Sequence, residues 1–240
     1  MWFLGLLIAG LVFFPAGINA GTVTFDDKVG VSFSFRELKE EGDNVPPSRI
    51  EEPSLYSNPR DAIEFRPSAF VAVESQLGSL ETASLSSTLS FLIQATGSPI
   101  GSLFIDLTGT YAEHPLNVPG AGTPVLSTSL SLDPIHFTIS GVTKTWSPAM
   151  NISRNMADQT WRGQLEVTQA DLRDLFASPT MEVTELRVSA VATVSASAQW
   201  GSASSYLTTL NFGVAPIPEP NVGSLLLLAG CIALNRRKKR

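Results

Sequence analysis

Two histidines, a single cysteine and 22 acidic residues set the chemical repertoire of this 240-residue chain. Cys231 lies in an apolar run near the C-terminus, where a thiol behaves as a small hydrophobe. The body of the chain therefore has no thiol for a disulfide, a zinc or iron–sulfur site, or a cysteine nucleophile. His114 precedes Pro115 in a loop-like context, and His136 lies in the run Ile135 to Ile139. Neither has a G-x-S-x-G elbow to serve. A pair of carboxylates can hydrolyse a glycosidic bond when about 5–10 Å apart. Asp106, Glu113 and Asp133 are candidates for such a pair by residue type alone. No Gly-rich phosphate loop opens a helix and no calcium-loop spacing occurs. The expectation is a protein with no catalytic residues, no metal and no cofactor, with a secreted hydrolase as a distant alternative.

Binding is better provided for than catalysis. Trp146 sits in TKTWSP and Trp161 in DQTWRG, beside Arg162; Trp200 is the third tryptophan of the body. An exposed aromatic face is apolar and polarizable and stacks on sugar rings. Trp146 and Trp161 are accordingly the candidate ligand-stacking residues, with the core or a sheet edge as their alternative place. Thr108-Gly109-Thr110 has the T-x-T spacing of flat ice-binding faces, but only in a single copy.

The charge is divided unevenly along the chain. Residues 21–217 hold 11 basic and 21 acidic side chains, a net charge of −10, against −6 for the whole chain. An acidic body excludes nucleic acid as a partner, because phosphates need a basic face. Charged residues are only 16% of the chain, below the usual quarter, so something else must wet its surface.

The elements that would position these residues are strands. Val29, Val31, Phe33 and Phe35 alternate with glycine and serine. Leu103, Ile105 and Leu107 alternate in the same way, as do Ile135, Phe137 and Ile139, Leu186, Val188 and Ala190, and Leu210, Phe212 and Val214. A period of two means one buried and one wet face, the mark of antiparallel sheets. Serine and threonine supply most of the wet positions. Turn pairs punctuate the runs, which predicts an all-β fold: an antiparallel β-sandwich or jelly-roll-like single domain over residues 21–215. Two segments depart from the pattern. Residues 36–67, with five prolines, read as a long excursion between strands. TQADLRDLFA, from Thr168, reads as one short helix with Thr168 as cap and Asp171 at the box position.

Both ends are apolar. Residues 1–20 read as a signal peptide, with an apolar run from Trp2 to Phe14, a break at Pro15 and Gly17, and a small residue at Ala20. A 13-residue helix is about 20 Å long at 1.5 Å per residue, short of a bilayer core of about 30 Å. Residues 216–240 contain Pro218-Glu219-Pro220, the apolar stretch Val222 to Leu234, and then Arg236, Arg237, Lys238, Lys239 and Arg240. An exported chain would halt at the apolar stretch, a short transmembrane helix, with the basic cluster left on the cytoplasmic side.

In residue types, order and terminal position, this tail resembles a PEP-CTERM sorting signal, the tag of exosortase substrates in Gram-negative bacteria. Asn221 and Val222 stand where a small serine or alanine often follows the motif. The resemblance covers about a tenth of the chain. It implies export by the secretory machinery, transient anchoring in the inner membrane, recognition of Pro218, Glu219 and Pro220 by an exosortase-type membrane transpeptidase, and release to the cell envelope, surface or extracellular matrix. It further implies an organism that makes exopolysaccharide. The expected role is a non-enzymatic surface or matrix protein, with an exopolysaccharide-binding β-sandwich module as the alternative.

Overall fold

The alternation along the chain is carried into two antiparallel sheets of seven strands each. A computed structural model describes residues 21–42, 51–57, 60–68 and 70–217. In chain order the first strands are β1 (Gly21–Thr24), β2 (Lys28–Val29), β3 (Phe33–Gly42), β4 (Ser54–Tyr56), β5 (Asp61–Phe65) and β6 (Val71–Gln76). Long strands follow: β7 (Glu81–Ala95), β8 (Ile100–Pro115) and β9 (Val125–Ile139). The rest are β10 (Val142–Trp146), β11 (Asn151–Asn155), β12 (Thr160–Thr168), helix α1 (Gln169–Leu175), β13 (Glu185–Gln199) and β14 (Gly201–Pro216). The first sheet has the order β1-β3-β7-β13-β9-β10, with β2 also on β3. The second has the order β11-β12-β8-β14-β5-β4, with β6 also on β14. The two face each other across one core, an arrangement consistent with an all-β sandwich.

Strand β13 shows why the sequence folds this way. Leu186, Val188, Ala190, Ala192, Val194, Ala196 and Ala198 are buried, while the residues between them are not. Every inward side chain removes apolar area from water at about 25 cal/mol per Å². The centre of the core is aromatic. Phe91 of the first sheet meets Phe212 of the second edge-on at 4.8 Å between ring centroids, and Phe65 and Phe35 complete the group.

Asp61 fastens the two sheets at one edge. Its carboxylate, at the start of β5, accepts the backbone N–H groups of Val31 (3.0 Å), Ser32 (2.6 Å) and Phe33 (2.8 Å) from the β2–β3 turn. Gly30 makes room for it, since a Cβ there would lie 2.4 Å from the Asp61 carboxyl carbon.

Three sequence expectations need correction. Residues 36–67 are not one excursion: they contain the rest of β3, all of β4 and all of β5. Leu38, Ile63 and Phe65 are fully buried, so short apolar alternation outweighs the prolines and charges around it. Residues 43–50, 58 and 59 lie outside the described part. Val29 and Val31 do not continue the buried face of Phe33 and Phe35; they are exposed where the chain turns between β2 and β3. His114 is not in a loop but on β8, opposite Ser202 of β14.

The helix appears where the capping signature placed it. Asp171 N–H bonds to Thr168 Oγ1 at 3.2 Å, and the Asp171 carboxylate accepts from Thr168 N–H at 2.8 Å. This satisfies two of the donors that a helix start leaves open. Leu172 is buried, and α1 packs on β12 and β8. Among the described residues no helix is long and apolar enough to cross a membrane. Residues 1–20, expected from the sequence to be a signal peptide, and residues 218–240, which hold most of the expected sorting segment, lie outside the described residues.

Candidate functional site

The outer face of the second sheet carries a row of polar side chains that crosses six strands. The pairing register sets Asn151 of β11 opposite Gln164 of β12, Gln164 opposite Asp106 of β8, and Asp106 opposite Asn211 of β14. It then sets Asn211 opposite Glu64 of β5, and Glu64 opposite Ser54 of β4. Directly opposed residues share a face of a sheet, so all six point the same way. Five strand spacings make this ladder about 24 Å long.

The centre of the ladder is held in place by its neighbours. Gln164 Nε2 donates to Asp106 Oδ1 at 3.0 Å. Arg60 lies flat on the sheet, its guanidinium 3.8 Å from the centre of the Phe104 ring and 3.8 Å from Asp106 Oδ2. Gly213 makes that pose available: a Cβ at position 213 would come within 3.0 Å of Arg60 Nε and 3.2 Å of its Cδ. On the other side of the ladder, Thr108 and Thr209 share a hydrogen bond of 2.6 Å, with Arg162 opposite Thr108 on β12. The result is a groove of about 620 Å³, lined by Arg60, Asp106, Thr110, Arg162, Gln164 and Asn211 among others. It continues into a smaller one of about 250 Å³ at Tyr56 and Glu64. Tyr56 Oη accepts from Arg66 Nη2 at 3.0 Å and lies 3.3 Å from Glu64 Oε1, and Arg66 pairs with Glu64.

Chemically, the groove presents a carboxylate acceptor, amides that both donate and accept, and guanidinium donors within one row. Such groups read pairs of hydroxyls. They do not form an acid–base couple of the hydrolytic kind with the other candidates. Asp106 and Glu113 lie on one strand seven residues apart, about 23 Å. Glu113 points between the sheets, where it pairs with Arg154 (2.7 Å) and accepts from Thr128 (3.0 Å). Asp133 is exposed on β9 in the other sheet. His136 Nδ1 bonds with Thr145 Oγ1 at 3.0 Å, across strands and away from any acid of the groove. Among the described residues no group of three metal-ligating side chains comes together.

The tryptophans are placed differently from an open stacking platform. Trp161 is 8% exposed and packs against Tyr111, 5.1 Å between ring centroids, with Arg154 over both rings. Trp146 ends β10, half-buried against Phe137 at 6.0 Å. The indole N–H of each is buried without a partner. Trp200 occupies the turn between β13 and β14 in a left-handed conformation, φ 57°. Thr108 and Thr110 both face outward in the groove. Gln164, Asn211, Arg60 and Glu64 are not singled out by sequence reasoning, and Arg162 enters it only as the neighbour of Trp161. The available signal was parity: each outward position shares the phase of Asp106 or of its partner strand. Pro218, Glu219 and Pro220, the sorting residues expected from the sequence, and the basic cluster Arg236 to Arg240 lie outside the described residues. The body ends with Ile217 N–H bonded to Pro99 O at 3.0 Å.

Comparison with protein-family models, with curated proteins and with solved structures gives no match.

Proposed function

We propose that this chain is an exported, non-enzymatic surface or matrix protein whose β-sandwich body binds exopolysaccharide. The observation that carries the binding reading is the transverse ladder Asn151–Gln164–Asp106–Asn211–Glu64–Ser54, flanked by Arg60 and Arg162. A polysaccharide offers a long line of hydroxyl pairs, and the ladder offers a long line of groups that donate and accept. Buried Trp161 argues for a site that reads hydroxyls in preference to one that stacks rings. The export and sorting part of the reading rests on the two ends of the sequence: signal peptide, Pro218-Glu219-Pro220, apolar stretch and basic terminus. Sorting by an exosortase-type transpeptidase would deliver the body to the place where exopolysaccharide is found.

The test uses protein recovered from its own host, with terminal peptides expected near Gly21 and near Pro218 to Pro220. Cosedimentation with the host's exopolysaccharide is measured for wild type and for Asp106→Ala. A hydrogen bond to a charged group is worth about 1.5–3 kcal/mol. The variant should therefore lose at least about tenfold in affinity. Equal retention of both proteins, or none of wild type, sinks the reading.

A further inference from the structure

We infer that the groove selects an acidic polysaccharide, one whose sugars carry carboxylates, and that Arg162 is the receptor for the carboxylate. The inference rests on the proposed binding role and names the class of glycan that fills it.

The argument begins with the two guanidinium groups of the groove, which differ in how they are used. Arg60 is committed: it lies on Phe104, and Asp106 is 3.8 Å away. Arg162 is free. It projects from the exposed face of β12, lines the groove, and has no acid within ion-pair distance among the described residues. Most other arginines of the body are occupied: Arg66 by Glu64, Arg154 by Glu113, Arg187 by Glu37, and Arg173 by the carbonyl of Met181. In a body with a net charge of −10, an arginine left without an acid inside a polar groove is the feature to account for.

Its surroundings fit a carboxylate. Thr108 lies directly opposite Arg162 on β8, and Thr160 and Thr110 oppose each other one outward position away. The hydroxyls of Thr160 and Thr110 can donate beside the guanidinium, and that of Thr108 can when it accepts from Thr209. A guanidinium presents a planar fork that matches the two oxygens of a carboxylate. The distance to the ladder also suits a sugar. Arg162 and Gln164 are successive outward positions on one strand, about 7 Å apart. A uronic acid with its carboxylate on Arg162 therefore lays its ring hydroxyls toward Gln164 and Asp106, and the next sugar of the chain reaches Asn211. A carboxylated chain with about one charge per sugar also suits an acidic body better than a densely sulfated chain. Repulsion is screened beyond about 8 Å at physiological salt, so a single carboxylate seated on Arg162 is tolerated where closely packed sulfates beside the acidic face are not.

The experiment measures retention of the full chain on immobilised alginate (a polyuronate), dextran (neutral) and dextran sulfate, at an ionic strength of about 0.15 M. Wild type should bind alginate at least about tenfold more tightly than dextran, and dextran sulfate no better than dextran. Arg162→Ala should lower alginate binding to the dextran level, and Arg162→Lys should restore part of the preference, because it returns the charge without the fork. The side chain is exposed, so neither change disturbs the core; thermal unfolding of each variant checks this. Equal binding of alginate and dextran by wild type, lost in Asp106→Ala, overturns the acidic-glycan inference and leaves the binding role standing. An alginate preference that survives Arg162→Ala, or tighter binding of dextran sulfate, also overturns it. Retention on none of the three, nor on the host's own polysaccharide, overturns the binding role itself.

Discussion

The two outer faces of this protein stand on one core and one alternation rule, yet they are furnished differently. On the first sheet, Thr82, Ser197 and Ser127 form one row, Ser84, Ser195 and Ser129 the next, and Ser86, Thr193 and Ser131 a third. Two of its rows bond within themselves, from strand to strand. Ser84 bonds Ser195 at 3.0 Å and Thr82 bonds Ser197 at 2.8 Å. On the second sheet the corresponding positions hold Gln164, Asp106, Asn211 and Glu64, with two arginines beside them. Longer side chains there reach above the backbone and retain donors and acceptors beyond those used among themselves. Wetting a sheet takes only hydroxyls; building a groove takes longer groups and a glycine to lay an arginine flat. The contrast separates the two demands within one domain.

The largest expected effect falls on what both faces share. Asp61 ties the second sheet to the first, and its loss should harm both faces alike. Asp61→Ala leaves the N–H groups of Val31, Ser32 and Phe33 without their acceptor and should cost about 2–3 kcal/mol in chemical denaturation at pH 7. Burial pushes the Asp61 carboxyl up, but the three backbone N–H groups and the Ser57 hydroxyl together outweigh it and hold it below the usual carboxylate range. A lowered value means that the ionised form stabilises the fold. The contribution is therefore fully present above the unfolded-state value of about 3.9 and is lost as pH falls through the lower folded-state value. Wild type and Asp61→Ala should accordingly converge in stability only below about pH 4. A gap that is the same at pH 7 and pH 2 would mean that the carboxylate charge is not what fastens the sheets.

A smaller effect should fall on the groove alone. Gly213→Ala places a methyl against Arg60 and should lift it from Phe104 and Asp106. Polysaccharide affinity is expected to fall about fivefold, roughly 1 kcal/mol. The melting temperature should move by no more than a few degrees. Affinity that is unchanged in titration would show that the pose of Arg60 is immaterial to the site.

Much of the scaffold was legible in the sequence because it depends on near neighbours. Period-two alternation marked the long strands, and Thr168 with Asp171 marked the helix start. Leu38, Ile63 and Phe65 were missed because their alternation is short and prolines and charges surround it. For Trp161 the sequence leaves both a stacking role and a place in the core open, and its shared parity with Leu165 and Val167, which pack inward, decides for the core. The ladder was not legible. Its members stand at 54, 64, 106, 151, 164 and 211, and only the register between distant strands brings them to one row. That register is decided by the fit of two inner faces across the core, and no local pattern encodes it.

The smallest effect belongs to the hydroxyl grid and tests the contrast from its other side. Ser195→Ala removes the bond to Ser84 but leaves a small, half-exposed side chain that the sheet tolerates. An exposed cross-strand pair is worth about 0.2–1 kcal/mol, and a surface change of this kind usually stays within about 0.5 kcal/mol. Stability should barely shift, and retention on polysaccharide should match wild type, because the grid lies on the face opposite the groove. The discriminating result is in the binding assay. If Ser195→Ala weakens retention as much as Asp106→Ala does, the hydroxyl grid takes part in recognition. A polysaccharide contacting both faces would then have to wrap the domain, and the ladder would no longer suffice to explain binding.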